Sequence, residues 1–225
     1  MILRASSALL ACVIAAPAFA QANIEKVNGG IRVDAGQTAG TLETVNGSIN
    51  IEAGATTRDA ETVNGSIKVG AKARTGALET VNGSIRVEDA VQIGGGVETV
   101  NGSVFIGRAG RIQGGVETVN GAIGLVDVDV FGGIDTVNGD VTVGAGSHVR
   151  GGIRYEKSQS WINYTPKGGN RKKTEPRVVI GPNAVVDGPL VFERKVELYV
   201  HSTARTGAIT GATAVRYSTE RAPTK

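Results

Sequence analysis

A Val-Asn-Gly tripeptide recurs along this chain at nearly constant intervals, and this periodicity constrains the fold more than any other feature. The seven copies begin at Val27, Val45, Val63, Val81, Val100, Val119 and Val137, at intervals of 18 or 19 residues. Units of this length are too short for helical-hairpin repeats or propeller blades. Aliphatic and polar residues alternate within each unit, as at Ile49 and Ile51, with the period of two that is typical of strands. Each unit is therefore predicted to form one coil of short strands joined by tight bends.

Two aliphatic positions of each unit are predicted to face the core. The first column contains Ile31, Ile49, Ile67, Ile85, Val104, Ile123 and Val141, and the second contains Val33, Ile51, Val69, Val87, Ile106, Leu125 and Val143. Two further units without Val-Asn-Gly, at 180–190 and 200–209, bring the count to about nine coils. Stacked coils are separated by the spacing of neighbouring strands, about 4.8 Å. We therefore predict an all-β fold, a single-stranded parallel β-helix (β-solenoid) that forms a rod on the order of 40 Å long.

The asparagine of each motif is predicted to be a structural corner residue rather than a ligand. These asparagines are Asn28, Asn46, Asn64, Asn82, Asn101, Asn120 and Asn138. Stacking of equivalent positions would bring their side-chain amides together as a ladder that runs across the coils. The glycine that follows each asparagine suggests a corner with positive φ, a conformation that Asn-Gly adopts readily.

One repeat position is acidic in all seven units and is predicted to form a column of carboxylates. Its members are Glu25, Glu43, Glu61, Glu79, Glu98, Glu117 and Asp135. Like charges about 4.8 Å apart should repel and raise one another's pKa. Two interpretations stay open, a solvated face with mobile counterions and a stripe that binds cations or a partner. The repeats lack the Gly-Gly-x-Gly-x-Asp spacing of calcium-binding β-rolls, so we predict no defined metal site.

The repeat is interrupted at residues 154–177, which are predicted to form an insertion loop on one face of the rod. This segment carries seven basic and two acidic residues, a net charge of +5, and holds the only tryptophan. The candidate binding residues are Trp161, Tyr155, Tyr164, Lys167, Arg171, Lys172 and Lys173. Aromatic rings beside basic side chains suit a sugar, an anionic polymer or the headgroups of a membrane surface. The competing interpretation is a solvated loop in which Trp161 merely covers the rod.

The first 20 residues have the pattern of a signal peptide. Arg4 is followed by an uncharged stretch, and Ala18-Phe19-Ala20 offers small residues for cleavage near Gln21. Leu9-Leu10-Ala11-Cys12 also loosely resembles a lipobox, in which Cys12 would be acylated. The apolar stretch continues to Phe19, however, and this favours the later cleavage. We expect a periplasmic or secreted protein, with no transmembrane segment after removal of the signal.

The predicted organisation follows from these features. A signal peptide at 1–20 precedes β-helix repeats with Val-Asn-Gly corners at 21–153 and the basic, aromatic-containing insertion at 154–177. Degenerate coils at 178–212 and a C-terminal tail at 213–225 complete the chain.

The alternation of ETVNGSI with VGxxAxxxGxV resembles the bactofilins, or polymer-forming proteins, and the related adhesin-like β-helical repeats of bacterial envelopes. The resemblance covers most of residues 24–153 and again 178–212. It implies a compact β-helix whose ends can stack into filaments. Bactofilins are cytoplasmic, whereas this chain has an export pattern.

No catalytic constellation is apparent in the residues. His148 and His201 fall at different points of their coils, the mature chain would lack cysteine for a Cys-His pair, and the carboxylates repeat in every coil rather than forming one acid and base pair. We therefore predict a non-enzymatic β-helical structural or scaffold protein of the cell envelope that needs no cofactor. Its expected partners are further copies stacked end to end, or an anionic envelope polymer or membrane surface, and export disfavours nucleic acid.

Two enzyme classes are the alternatives. The first is a β-helix that binds or degrades polysaccharide, although such enzymes usually have longer coils and irregular loops. The second is a hexapeptide acyltransferase, which would need an aliphatic residue at every sixth position and an acyl-coenzyme donor that is absent outside the cytoplasm.

Overall fold

A computed structural model describes residues 22–157 and 175–223 of the chain. These two ranges form 27 β-strands, and neighbouring strands pair in parallel. In the same ranges, the chain has no helix that is long and apolar enough to cross a membrane. The predicted all-β parallel solenoid is thereby confirmed.

The strands stack into three sheets, named A, B and C, and the chain passes along them in turn. Sheet A has ten strands: β1 (Ile24–Asn28), β3 (Leu42–Asn46), β5 (Ala60–Asn64), β8 (Leu78–Asn82), β11 (Val97–Asn101), β14 (Val116–Asn120), β17 (Ile134–Asn138), β20 (Ile153–Tyr155), β23 (Leu190–Phe192) and β26 (Ile209–Thr210). Sheet B also has ten: β2 (Ile31–Val33), β4 (Ile49–Ile51), β6 (Ile67–Val69), β9 (Ile85–Val87), β12 (Val104–Ile106), β15 (Ile123–Leu125), β18 (Val141–Val143), β21 (Arg177–Ile180), β24 (Glu197–His201) and β27 (Ala214–Tyr217). Sheet C has seven: β7 (Arg74–Thr75), β10 (Gln92–Ile93), β13 (Arg111–Ile112), β16 (Asp129–Val130), β19 (His148–Val149), β22 (Val185–Val186) and β25 (Arg205–Thr206).

The register places the same repeat position above itself from coil to coil. In sheet B, Ile49 pairs with Ile67 and Ile67 pairs with Ile85. Both predicted aliphatic columns are buried along their whole length, with every member at most 4% exposed. A third inward column comes from sheet A, where the first residue of successive strands is buried: Leu42, Ala60, Leu78, Val97, Val116 and Ile134. The core is therefore a narrow stack of aliphatic side chains, as the low aromatic content requires.

The glycines of the Val-Asn-Gly corners are needed for space, and the predicted positive φ is wrong at most of them. Of the seven, only Gly29 and Gly139 have positive φ. At Gly83, an added Cβ would lie 1.9 Å from the carbonyl oxygen of Gly65, one coil earlier, and Gly65, Gly102, Gly121 and Gly139 show the same distance to their own predecessors. Successive corners stack so closely that no side-chain carbon fits between them. The asparagines end strands of sheet A, and the glycine that follows each of them is explained by this close approach.

The boundaries of the last regions differ from the predicted ones. Strand β20 extends to Tyr155 and β21 begins at Arg177, so both ends of the predicted insertion belong to the rod. Strand β27 pairs with β24, so the predicted C-terminal tail contains the last strand of sheet B. Both corrections have one cause: the ladder continues in residues that do not match the repeat motif.

Candidate functional site

Several predicted features lie outside the described residues. They are the signal peptide at 1–20 with Cys12, and six candidate binding residues of the insertion: Trp161, Tyr164, Lys167, Arg171, Lys172 and Lys173. Their proposed roles stay predictions.

Tyr155, the seventh candidate binding residue, is a core residue. Its side chain is fully buried, its ring centroid lies 5.7 Å from that of Phe192, and its hydroxyl donates a 2.6 Å hydrogen bond to the carbonyl oxygen of Gly139. Burial raises the pKa of the hydroxyl well above its usual value. Since the side chain has no exposed surface, the prediction that Tyr155 contacts a ligand on the loop is wrong.

The outer face of sheet A forms an extended concave surface along the rod. A shallow groove of about 810 Å³ runs along seven coils. Its lining consists of the acidic, threonine and valine positions of each Glu-Thr-Val unit or its equivalent, with Lys26 and Glu156 at its ends. The groove follows the rod axis because each coil contributes the same three positions in register.

The predicted acidic column forms one side of this groove. Glu43 pairs in register with Glu61, and Glu61 with Glu79, so the carboxylates follow the strand spacing of about 4.8 Å. Among the described residues, the only member of the column in an ion pair is Asp135, whose Oδ1 lies 3.8 Å from Nε of Arg154. The remaining six carboxylates are not neutralised by a basic side chain of the described rod.

The pKa values of three members of the column respond to this arrangement. Burial is the largest cause of the raised pKa of Glu79, and the neighbouring carboxylates of Glu61 and Glu98 add to it. Glu117 shows the same pattern between Glu98 and Asp135. The pKa of Asp135 is raised by burial, although Arg154 opposes the change. Repulsion between column carboxylates therefore contributes to the raised pKa of Glu79 and Glu117, with burial as the larger cause.

The valines of Val-Asn-Gly form the opposite side of the groove, and this feature was missed at the level of sequence. Val45, Val63, Val81, Val100 and Val119 are each about 40% exposed, and Val27 is 68% exposed. The acidic and valine positions are two residues apart on a strand, with the threonine between them, so the two columns lie roughly 7 Å apart. The alternation within Leu-Glu-Thr-Val contained the signal, since a buried leucine places threonine inward and valine outward.

Hydrogen bonds of the inward threonines explain why the strands bury threonine and expose valine. Their hydroxyls donate to the corner glycine of the preceding coil, as from Thr62 to Gly47 O at 2.8 Å and from Thr80 to Gly65 O at 2.8 Å. Thr44, Thr99 and Thr118 make equivalent bonds. Thr136 is the exception within the described column, because its buried Oγ1 has no hydrogen-bond partner.

The asparagines form the predicted amide ladder. From Asn46 to Asn138, each Nδ2 donates to Oδ1 of the asparagine one coil earlier, at 3.0 or 3.1 Å. The ladder ends at Asn138, whose Oδ1 accepts a hydrogen bond from Nη1 of Arg194. The same Nη1 donates to Val137 O at 2.7 Å. The side-chain amides hydrogen-bond to one another, which supports a structural role.

The outer face of sheet B differs in that its charges are mixed. Arg32 contacts both Asp34 and Glu52, at 3.2 and 3.1 Å. Arg86 lies over the ring of Phe105, with 4.9 Å between its guanidinium carbon and the ring centroid. This face therefore neutralises part of its own charge, whereas Asp135 is the only described member of the acidic column that has an ion-pair partner.

The histidines and carboxylates of the described ranges form no metal centre. No group of three or more His, Cys, Asp or Glu in residues 22–157 and 175–223 is placed to hold a metal ion. The two histidines lie on different sheets. His148 of sheet C pairs with Asp187 at 2.6 Å, and His201 of sheet B packs edge-on against the ring of Tyr217. Comparison with known protein families, curated proteins and solved structures found no match to this chain.

Proposed function

We propose that the protein is an exported, non-enzymatic β-solenoid scaffold of the cell envelope. The observation that carries this proposal is the repetition of one outward chemistry, an acidic residue and a valine per coil, over seven coils of sheet A. A catalytic site needs one acid, base or nucleophile whose surroundings distinguish it from its neighbours. A scaffold instead gains from identical contacts repeated along a straight face.

Export is tested by the N-terminus of the protein in cells. Mass spectrometry of the chain recovered from fractionated cells should show an envelope or secreted species that begins near Gln21. An N-terminal acylated Cys12 would establish the lipoprotein alternative. A full-length chain confined to the cytoplasm would contradict the envelope role.

Self-association and a relation to the bactofilins are part of the same proposal. Among the described strands, β1 and β2 pair on one side only, and an open strand edge is a template for pairing with another chain. Electron microscopy and light scattering on the mature protein distinguish filaments from single rods of roughly 40 Å. Single rods at all concentrations would refute end-to-end stacking and leave the scaffold role in place.

Binding of an anionic polymer or anionic lipid surface is assigned to the basic insertion. The deletion that tests it should remove only residues 158–174, since Tyr155 belongs to the core and Arg177 to β21. With a short Gly-Ser linker in their place, the rod should keep its β-rich circular dichroism and lose binding to anionic vesicles or polysaccharide. Unchanged binding would move this activity onto the coils.

A further inference from the structure

We propose that the sheet A groove is a docking site for an extended polypeptide segment of another protein in which basic and aliphatic residues alternate. This inference rests on the scaffold role proposed above and names the partner class for one of its faces. It depends on the combination of an acidic column, an exposed apolar column and the groove between them, since none of these alone specifies a ligand.

The charge of the groove requires a cationic partner. Seven acidic column residues and Glu156 line it, against Lys26 as the only basic lining residue in the described part of the chain. Lys26 is engaged locally, because its Nζ donates to Gly30 O at 2.8 Å. Desolvation already raises the pKa of Glu79 and Glu117, so a partner that brings positive charge would relieve an existing cost.

The valine column requires that the partner is also apolar on one side. Six exposed valines in register make a continuous apolar stripe, and such stripes bordered by polar residues are typical of interaction sites. A metal ion or small polyamine would neutralise the carboxylates but leave these valines in water. An anionic polymer would be repelled by the column opposite them.

The dimensions of the groove fit an extended chain. Six steps of about 4.8 Å separate Glu25 from Asp135, which gives a length of roughly 29 Å, and about nine extended residues cover this distance. A strand that lies along the groove floor points successive side chains to opposite sides. One set would therefore face the carboxylates and the other set the valines, which is the reason for an alternating basic and aliphatic sequence.

The test is a titration of the mature full-length protein with synthetic nine-residue peptides, followed by fluorescence anisotropy. The probe alternates lysine and valine, and the comparison peptide alternates lysine and serine at equal charge. We expect saturable binding of the lysine-valine peptide, weaker binding of the lysine-serine peptide, and a loss of affinity as salt rises. Equal affinity for the two peptides would overturn the role of the valine column.

Matched variants locate the site. The triple variant E61Q/E79Q/E98Q should weaken binding of the lysine-valine peptide by about tenfold or more. The control D34N/E52Q/E88Q removes the same charge from the edge of sheet B and should change affinity by less than about threefold. Circular dichroism confirms that each variant is folded. Equal effects of the two variants would refute docking on sheet A.

Two further outcomes are informative. Self-association of the wild-type protein without peptide, abolished by E61Q/E79Q/E98Q and retained by the control, would make a second copy the occupant and overturn the proposal. The peptide assay does not depend on export, so a failure of peptide binding leaves the localisation result intact, and a failure of export leaves the groove assay intact.

Discussion

The coils with Val-Asn-Gly and the coils that follow them build the same three-sided rod with different polar chemistry. At the second inward-facing position of the sheet A strands, Thr136 pairs with Tyr155, and Tyr155 with Phe192. A small hydroxyl residue is thus replaced by two aromatic rings. The hydroxyl of Tyr155 still reaches the corner carbonyl of Gly139, as the threonines do in earlier coils. The hydrogen bond is kept while its donor changes.

The donor of the hydrogen bond also changes at the end of the amide ladder. Among the described residues, no asparagine follows Asn138 in the column, and Arg194, 56 residues later, donates a hydrogen bond to its Oδ1 instead. The aliphatic column does not change, since Val141 pairs with Val178 and Val178 with Leu198. The apolar columns therefore continue through both regions of the rod, whereas the Val-Asn-Gly motif supplies the surface of the first region.

The largest expected effect tests the inward aliphatic column that both regions share. Ile67→Asp in the repeat coils and Ile180→Asp in the later coils should each abolish the cooperative thermal transition. An unpaired charge in this core costs roughly 3 kcal/mol or more. Lys68→Asp, the exposed neighbour of Ile67 on the same strand, is the control and should melt near the parent. A folded Ile180→Asp beside an unfolded Ile67→Asp would show that the later coils do not depend on the column.

The next effect tests the stacked glycines of the Val-Asn-Gly corners, which belong to the repeat region. Gly83→Ala places a Cβ 1.9 Å from Gly65 O, and because the clashing atom is backbone, we expect a loss of about 3 kcal/mol. Gly94→Ala is the matched control, since its nearest atom, Thr75 O, is 3.5 Å away. Chemical denaturation measures both. Equal stabilities of Gly83→Ala and Gly94→Ala would mean that the stacked corners can move apart at little cost. Such a result would contradict the explanation by close approach.

A smaller effect tests the hydrogen bonds that threonine hydroxyls, and later the Tyr155 hydroxyl, donate to the corner carbonyls. Tyr155→Phe and Thr80→Val each remove one hydroxyl from a corner carbonyl, and each should cost about 1–2 kcal/mol. Thr136→Val is the control, because the Oγ1 of Thr136 has no partner and its removal should be neutral or stabilising. Urea denaturation of the three variants ranks them. A loss at Thr136 as large as at Thr80 would contradict the assigned hydrogen bonds.

The smallest effect concerns the carboxylates of the repeat region. The variant E61Q/E79Q/E98Q should raise the melting temperature in low salt, and less in high salt, with a gain below about 1 kcal/mol because exposed charges are screened. A lower melting temperature at both salt levels would show that partners satisfy the column.

The pH dependence has a defined sign. The pKa of Glu79 and Glu117 is raised in the folded state above the ordinary 4.5, so the folded protein binds more protons than the unfolded chain in the window above 4.5. Stability from these groups is complete below that value and is lost as pH rises through their folded pKa. The melting temperature of the wild type should therefore gain more than that of the triple variant as pH falls toward 5.

Much of the repeat region could be predicted because a periodic sequence stacked in register places like residues upon like. The coil length, both aliphatic columns, the acidic column and the asparagine ladder all follow from this. The outward valines were not predicted, since hydrophobicity alone favours burying valine before threonine. The inward position of threonine depends on a carbonyl one coil away, which no local pattern contains.

The solenoid, its coil length and the composition of its columns follow from residues that recur at a constant spacing in the chain. Which polar groups hydrogen-bond to one another depends on the three-dimensional stacking of the coils. The glycine corners need space because successive backbones stack, Tyr155 belongs to the core rather than to a binding loop, and Arg194 caps a ladder that ended 56 residues earlier. Each of these depends on contacts between residues distant in the chain, where the spacing of the motif carries no information.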